Sequence, residues 1–265
     1  YVLDIDSEQG CTLSLRTCPD CAQRLRPAIV SALGACAPGH DAAGNPVWQR
    51  RVPSGRRSLR ITACYRVSLR NGRVPVPLAA EGGGAGVPEA RAQPTDAVRA
   101  LVDRALADGE GSSSAPDRIL RAVSKAITYD PRFADDTPDA ATVLARGRGV
   151  CRDYVEVGLA VLAAAGIPAR ACGGLLIRRS RGGSWQADHH VWLTAFDDDA
   201  GWTGYDPTPN NGTVWHLPLA WGSSVDATRA VVLSPPALHR RWRHASLLVR
   251  PVTPAKSAIR DAVSV

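Results

Sequence analysis

The feature that most limits the fold is a helix with no polar face. From Cys151 through Tyr154, Val157, Val161 and Leu162, apolar residues recur nearly all the way round. Gly166 and Pro168 then stop the segment. Such a helix has no side to turn toward water, so a domain has to close around it. Strand-like segments follow, at Arg170 to Ile177, Val191 to Phe196 and Trp202 to Tyr205, and they supply a sheet for it to pack on. Arg148-Gly149-Val150 comes just before, which puts Cys151 at the mouth of the helix.

The chain ahead of that helix divides in two. Residues 1–80 read as a small β domain, with alternating or β-branched runs at Tyr1 to Asp6, Cys11 to Thr17 and Leu59 to Leu69. Turn signals separate them at Pro19-Asp20, Gly44-Asn45 and Asn71-Gly72. Pro27, Pro46 and Pro53 point to edge strands or strand starts. Residues 81–94, with Gly82-Gly83-Gly84 and Gly86, read as a linker, and residues 95–265 as a second domain. There Thr95-Asp96 caps a helix with Val98, Leu101, Val102 and Ala105 on one face, ending at Gly109. A second helix has Pro116 in its first turn and Ile119, Leu120, Val123 and Ile127 along one face. A short third helix starts at Thr137-Pro138 and runs through Val143 and Leu144 to Gly147. Beyond Pro207, short apolar runs mix with prolines and read as partly irregular.

Chemistry centres on the thiol at the helix mouth. Unpaired N–H groups and the positive end of the helix dipole favour a thiolate there, and the same groups can hold an oxyanion. From position alone, a nucleophile and a small buried hydrophobe both remain open. His190 opens a His-Val-Trp-Leu segment, and Asp206 closes the next strand-like segment just before Pro207. A histidine can take a thiol's proton, and a carboxylate on the far ring nitrogen fixes the tautomer and stabilises the imidazolium.

The order of these residues and the motifs around them resemble the transglutaminase-like superfamily. Gly149-Val150-Cys151-Arg152-Asp153-Tyr154 is similar to its nucleophile motif, and Gly166-Ile167-Pro168-Ala169-Arg170 to the turn after the nucleophile helix. His190-Val191-Trp192 and Gly201-Trp202 through Asp206-Pro207-Thr208 resemble its histidine and aspartate motifs. Thr128-Tyr129-Asp130-Pro131 is similar to the approach to the nucleophile. Asp41-Ala42-Ala43-Gly44-Asn45 resembles a turn in the N-terminal β domain found beside bacterial members. The resemblance implies an α+β class: a papain-like core, with the nucleophile helix packed on an antiparallel sheet, after a small N-terminal β domain. It further implies Cys151 as nucleophile, His190 as base and then acid, and Asp206 as orienting group. The reaction would be acyl transfer on an amide, ester or thioester, with a peptide, a protein or a small acyl or amine compound as substrate. A non-catalytic peptide- or protein-binding member of the same fold is the alternative.

Some positions depart from the pattern. His189 stands beside His190, although strand alternation turns it to the other face. Val191 occupies a place where a small alanine is usual. Tyr129 is the candidate for a second oxyanion donor, and Trp192 and Trp202 either line an acyl pocket or pack the sheet. Tyr129, Trp192 and His189 are thus the candidate substrate contacts.

The remaining features exclude more than they assign. The 32 Lys+Arg against 25 Asp+Glu give a net charge of +7, but nearly all the bases are scattered arginines, which argues against nucleic acid as a partner. No apolar run reaches the ~20 residues that span a bilayer, so no membrane association is expected. The chain shows no secretion leader, and its cysteine count is 7, an odd number that suits a reducing, cytoplasmic setting. There is no nucleotide-binding glycine fingerprint, so no cofactor is expected. Cys18 and Cys21 form a C-x-x-C followed by Cys36 and His40; zinc ligands, a disulfide and ordinary turn thiols all stay open, and no metal is assigned. Cys11, Cys64 and Cys172 are expected in the core, and Asp197-Asp198-Asp199 at a hairpin tip rather than around calcium.

Overall fold

The computed structural model describes residues 2–16, 25–28, 37–60, 64–67, 74, 76, 93–107, 113–134, 138–180, 182–209, 214–234 and 239–244. Cys18, Cys21, Cys36 and the 81–94 linker up to residue 92 lie outside them.

The N-terminal region is β structure, as its alternation requires. Its strands are β1 (Val2–Ser7), β2 (Cys11–Arg16), β3 (Leu25–Ala28), β4 (Ala37–His40), β5 (Pro46–Val52), β6 (Gly55–Arg60) and β7 (Cys64–Val67). In β2, Cys11, Leu13 and Leu15 turn inward while their neighbours are half-buried. Pro46 is the first residue of β5, a strand paired on both sides, where a missing N–H at the start does no harm.

The helical region begins with α1 (Asp96–Ala107) and α2 (Ala115–Ala126), whose buried residues are those the helical spacing picks out. Next come the two-residue strand β8 (Thr128–Tyr129), α3 (Ala140–Arg146), β9 (Arg148–Gly149) and α4 (Cys151–Ala164). Strands β10 (Ala169–Arg179), β11 (Trp185–Asp197), β12 (Gly201–Tyr205) and β13 (Val214–Gly222) form one antiparallel sheet in the order β12-β11-β10-β13. The fold is therefore α+β, with the thiol-bearing helix on an antiparallel sheet.

Helix α4 is sealed on all sides. Tyr154, Val155, Val157, Val161 and Leu162 are all fully buried, each contributing about 1.5–3 kcal/mol for an aliphatic side chain of this kind. They pack among α1, α2 and the face of β11 that carries Val191, Leu193 and Ala195. Gly158 lets the helix approach this closely: a Cβ there would lie 2.5 Å from Leu193 Cδ1 and 3.1 Å from Leu120 Cδ2.

The segment after Pro207 is more regular than its prolines suggest. β13 is a full strand, and Pro218 sits at the register shift between Gly173 and Gly174, where a strand tolerates a residue without an N–H. Strands β14 (Val231–Ser234) and β15 (His239–His244) then leave this sheet to pair with β2 and β1. Both ends of the described chain thus meet in the N-terminal sheets.

One turn ties the N-terminal strands to β13. Asp41 Oδ1 accepts from the N–H groups of Ala43 (3.0 Å) and Asn45 (2.9 Å), which tightens the turn. The fully buried Asn45 amide then brackets Trp221: its Nδ2 donates to the Trp221 carbonyl at 2.8 Å, and its Oδ1 accepts from the Trp221 N–H at 2.8 Å. The Trp221 indole N–H donates to the Ala43 carbonyl at 3.1 Å.

Candidate active site

Cys151 is the first residue of α4, the position where a helix N–H has no partner within the helix. The local sequence shows how it is held. Asp153 accepts from the Val150 N–H at 2.8 Å, a side-chain cap reaching back from the third helical residue. That carboxylate is 1% exposed and is also paired with Arg146 at 3.3 Å. A Cβ on Gly149 would overlap the Asp153 carboxylate, which is why glycine precedes the nucleophile by two. β8 and β9 pair in parallel, Tyr129 opposite Gly149, and so bring Tyr129 to the same mouth. Beneath it, Tyr154 donates to the Ile127 carbonyl at 2.7 Å.

His190 and Asp206 come from adjacent strands. His190 lies on β11, and Asp206 follows directly on β12, whose last residue Tyr205 pairs with Leu193. The His190 Nε2 donates to Asp206 Oδ2 at 2.8 Å, and both side chains are buried. The Cys151 thiol lies near enough to the imidazole to bear on its charge. Burial opposes charge on His190, but the hydrogen bonds to Asp206 and Cys151 outweigh it and push its pKa up to about 9. Burial likewise opposes ionisation of Asp206, yet hydrogen bonds from His190 and His216 hold its carboxyl well below the usual range. The three residues singled out from the sequence are therefore brought together, His190 bonded to Asp206 and neighbouring Cys151.

The three candidate substrate contacts are placed differently. Tyr129 is exposed, and its phenol pKa is raised by partial burial and by the nearby Cys151 and Asp188. His189 is exposed and faces away from its neighbour. Trp192 is fully buried: its ring stacks on His190 at 6.1 Å and lies behind the site rather than on its surface. Trp202 is half-buried, edge-on to Phe196 at 6.0 Å between centroids. Cys11 and Cys172 are buried, and Asp197 Oδ1 accepts from the N–H groups of Asp199 and Ala200, closing the hairpin tip.

His216, on β13, was not singled out from the sequence. Its Nε2 donates to the same Asp206 Oδ2 at 2.9 Å. A lone histidine in the apolar run Val214–Gly222 is a buried polar group that needs a partner, and this was the available signal. His190, Asp206 and His216 are also the set of side chains among the described residues that could hold a metal ion, their ligand atoms lying within 4.8 Å of one another. Both imidazoles converge on one carboxylate oxygen, which is the arrangement of a hydrogen-bonded trio.

This geometry can be set beside known proteins. Residues 99–207, which span Cys151, His190 and Asp206, match the transglutaminase-like superfamily. Over that stretch the chain is similar to a transglutaminase-like domain. A structure from Cytophaga hutchinsonii, assigned as a cysteine protease, overlaps 96% of this chain and 91% of its own at a TM-score of 0.57 and 18% identity. That likeness is one of fold. A structure described as a TGase (13% identity, TM-score 0.33, covering 71% of this chain and 47% of its own) overlaps it less. So does one from Parabacteroides distasonis assigned as a protease (16% identity, TM-score 0.32, covering 78% and 43%). None of the curated proteins matches the chain. No helix among the described residues is long and apolar enough to cross a membrane.

Proposed function

We propose that this transglutaminase-like domain is a thiol-dependent acyl-transfer enzyme working through Cys151, His190 and Asp206. The observation that carries the reading is the 2.8 Å His190–Asp206 hydrogen bond beside a thiol at a helix N-terminus. The Cys151 thiolate attacks an amide, ester or thioester carbonyl, and a bond from Sγ to carbon forms. The carbonyl oxygen takes up negative charge beside the Cys151 N–H, with the Tyr129 hydroxyl as second donor. His190 then gives its proton to the leaving group as the old bond to the acyl carbon breaks. In the second half, His190 takes a proton from water or an amine. That nucleophile attacks the acyl carbon, and the Sγ–carbon bond breaks to restore the thiolate. Water makes the protein a peptidase or amidase; an amine makes it a transamidase or amide synthase. No step needs a cofactor.

Limited iodoacetamide labelling near pH 6, read by peptide mass spectrometry, tests this reading. Cys151 should label well ahead of Cys172 and the other thiols, and the lead should collapse in His190→Ala. If Cys151 labels no faster than the rest, the chain is a peptide- or protein-binding member of the fold, not an enzyme. If it leads, activated acyl esters offered with and without amines would separate hydrolysis from transamidation.

A further inference from the structure

We infer that His216 is a positioning residue of this site: it clamps the Asp206 carboxylate so that a single oxygen orients His190. The inference rests on the acyl-transfer reading above.

The geometry is that of a carboxylate held on every side. Asp206 Oδ2 lies 2.8 Å from His190 Nε2 and 2.9 Å from His216 Nε2, and Oδ1 accepts the Thr208 N–H at 3.0 Å. An ionised carboxylate only accepts, so both rings must carry their proton on Nε2. That choice leaves Nδ1 of His190 bare. The side chains of His190, Asp206 and His216 are 5–6% exposed, so water does not supply a missing donor. His190 alone is a poor anchor for the carboxylate, because in the proposed reaction its charge changes with every half-cycle. His216 has no such duty. It is a constant donor that keeps Asp206 ionised and aimed while the other ring works.

The fold is arranged to deliver His216 there. It stands on β13, separated from β11 by β10, and Asp206 lies beyond β11 on the far side. A side chain at one position would block the path, and that position carries none. At Gly174 of β10, a Cβ would overlap the Leu217 carbonyl oxygen of β13 and lie 2.8 Å from Trp192 Cη2, so glycine is needed both for the strand's approach and for the indole. The Trp192 ring fills that gap, stacked on His190 with 24° between planes and edge-on to His216 at 4.9 Å and 70°. One indole thus backs both imidazoles and sets their separation of 5.9 Å. The strand register puts Arg178 and Asp188, ion-paired at 2.7 Å, on the sheet face that carries His216, and Tyr129 lies near both.

The test measures the rate of Cys151 alkylation by iodoacetamide against pH, on the full chain. In His216→Leu, which fills the space without a donor, the rate near pH 6 should fall about tenfold and the acid limb should move up by about one pH unit. His216→Gln places an amide N–H close to where Nε2 stood and should recover most of the rate, whereas His216→Asn, a bond shorter, should not. A merely structural role would make both amides behave alike. Wild-type rate and profile in His216→Leu, or equal rates in the Gln and Asn variants, would overturn the inference. Should the variants fail to fold, 15N spectra of the histidines in the wild-type protein decide it: His216 must carry its proton on Nε2, and a bare Nε2 refutes the clamp. If Cys151 shows no preferential labelling in the wild type, the acyl-transfer reading itself fails, a separate outcome from loss of the His216 effect.

Discussion

Replacing Asn45 should cost far more than its place in a surface-looking turn suggests. Its amide makes hydrogen bonds to both backbone groups of Trp221, each at 2.8 Å, and its Nδ2 also reaches the Asp41 carboxylate at 3.1 and 3.2 Å. Asn45→Ala leaves the Trp221 N–H and carbonyl buried and unpaired, at about 1–3 kcal/mol for each. A total loss of about 3 kcal/mol would lower the melting temperature of a chain this size by roughly 6–12 °C. Asn45→Asp discriminates further. It keeps an oxygen for the Trp221 N–H, but it turns a second oxygen onto the Trp221 carbonyl and sets a charge against Asp41. The near-isosteric change should therefore cost at least about 1 kcal/mol more than alanine. Thermal denaturation of the three proteins, followed by circular dichroism at neutral pH, is the assay. A melting point for Asn45→Ala within about 1 °C of wild type would refute the bracket. So would an Asn45→Asp protein as stable as the alanine variant.

The pH dependence of stability should carry the mark of Asp206. Its folded-state pKa is depressed, so its contribution is complete above its unfolded value of about 4 and is lost as pH falls through the folded one. Urea denaturation across the acid range should show Asp206→Asn flattening that limb; equal acid slopes in the two proteins would contradict the assignment. Gly174→Ala should lower stability by about 1–3 kcal/mol through overpacking and also slow Cys151 alkylation, because the added methyl overlaps the Leu217 carbonyl oxygen and meets Trp192 behind both imidazoles. A variant with wild-type melting and labelling would show that the sheet gives way there without consequence.

What could be read without a structure follows from how local each signal is. The all-round apolar pattern from Cys151 onward requires a buried helix whatever its surroundings, and α4 is one. The spacing of Val98, Leu101, Val102 and Ala105 and of Ile119, Leu120 and Val123 likewise selects the faces that α1 and α2 bury. Cys151, His190 and Asp206 were legible because each sits inside a recognisable motif, Cys151 and Asp206 at element boundaries and His190 within β11. His216 was not, since nothing within Val214–Gly222 says which carboxylate its ring will meet. The prolines also hid β13, because the bulge that accommodates Pro218 shows only in the pairing with β10, where Gly173 meets Ala220 and Gly174 meets Pro218. Asn45 marked a turn in the sequence, yet its two best hydrogen bonds run to Trp221, 176 residues further on.

Periodicity and turn chemistry depend on neighbours a few residues apart, so the sequence by itself determined the faces of α1 and α2, the buried helix and the motif residues near its mouth. Cross-strand order, the crossing of β10 through Gly174, and the pairing of β14 and β15 with the N-terminal strands depend on groups far apart in the chain. Only the tertiary structure could decide them, because a buried hydrogen-bond donor or a missing side chain acquires its meaning from whatever the fold places against it.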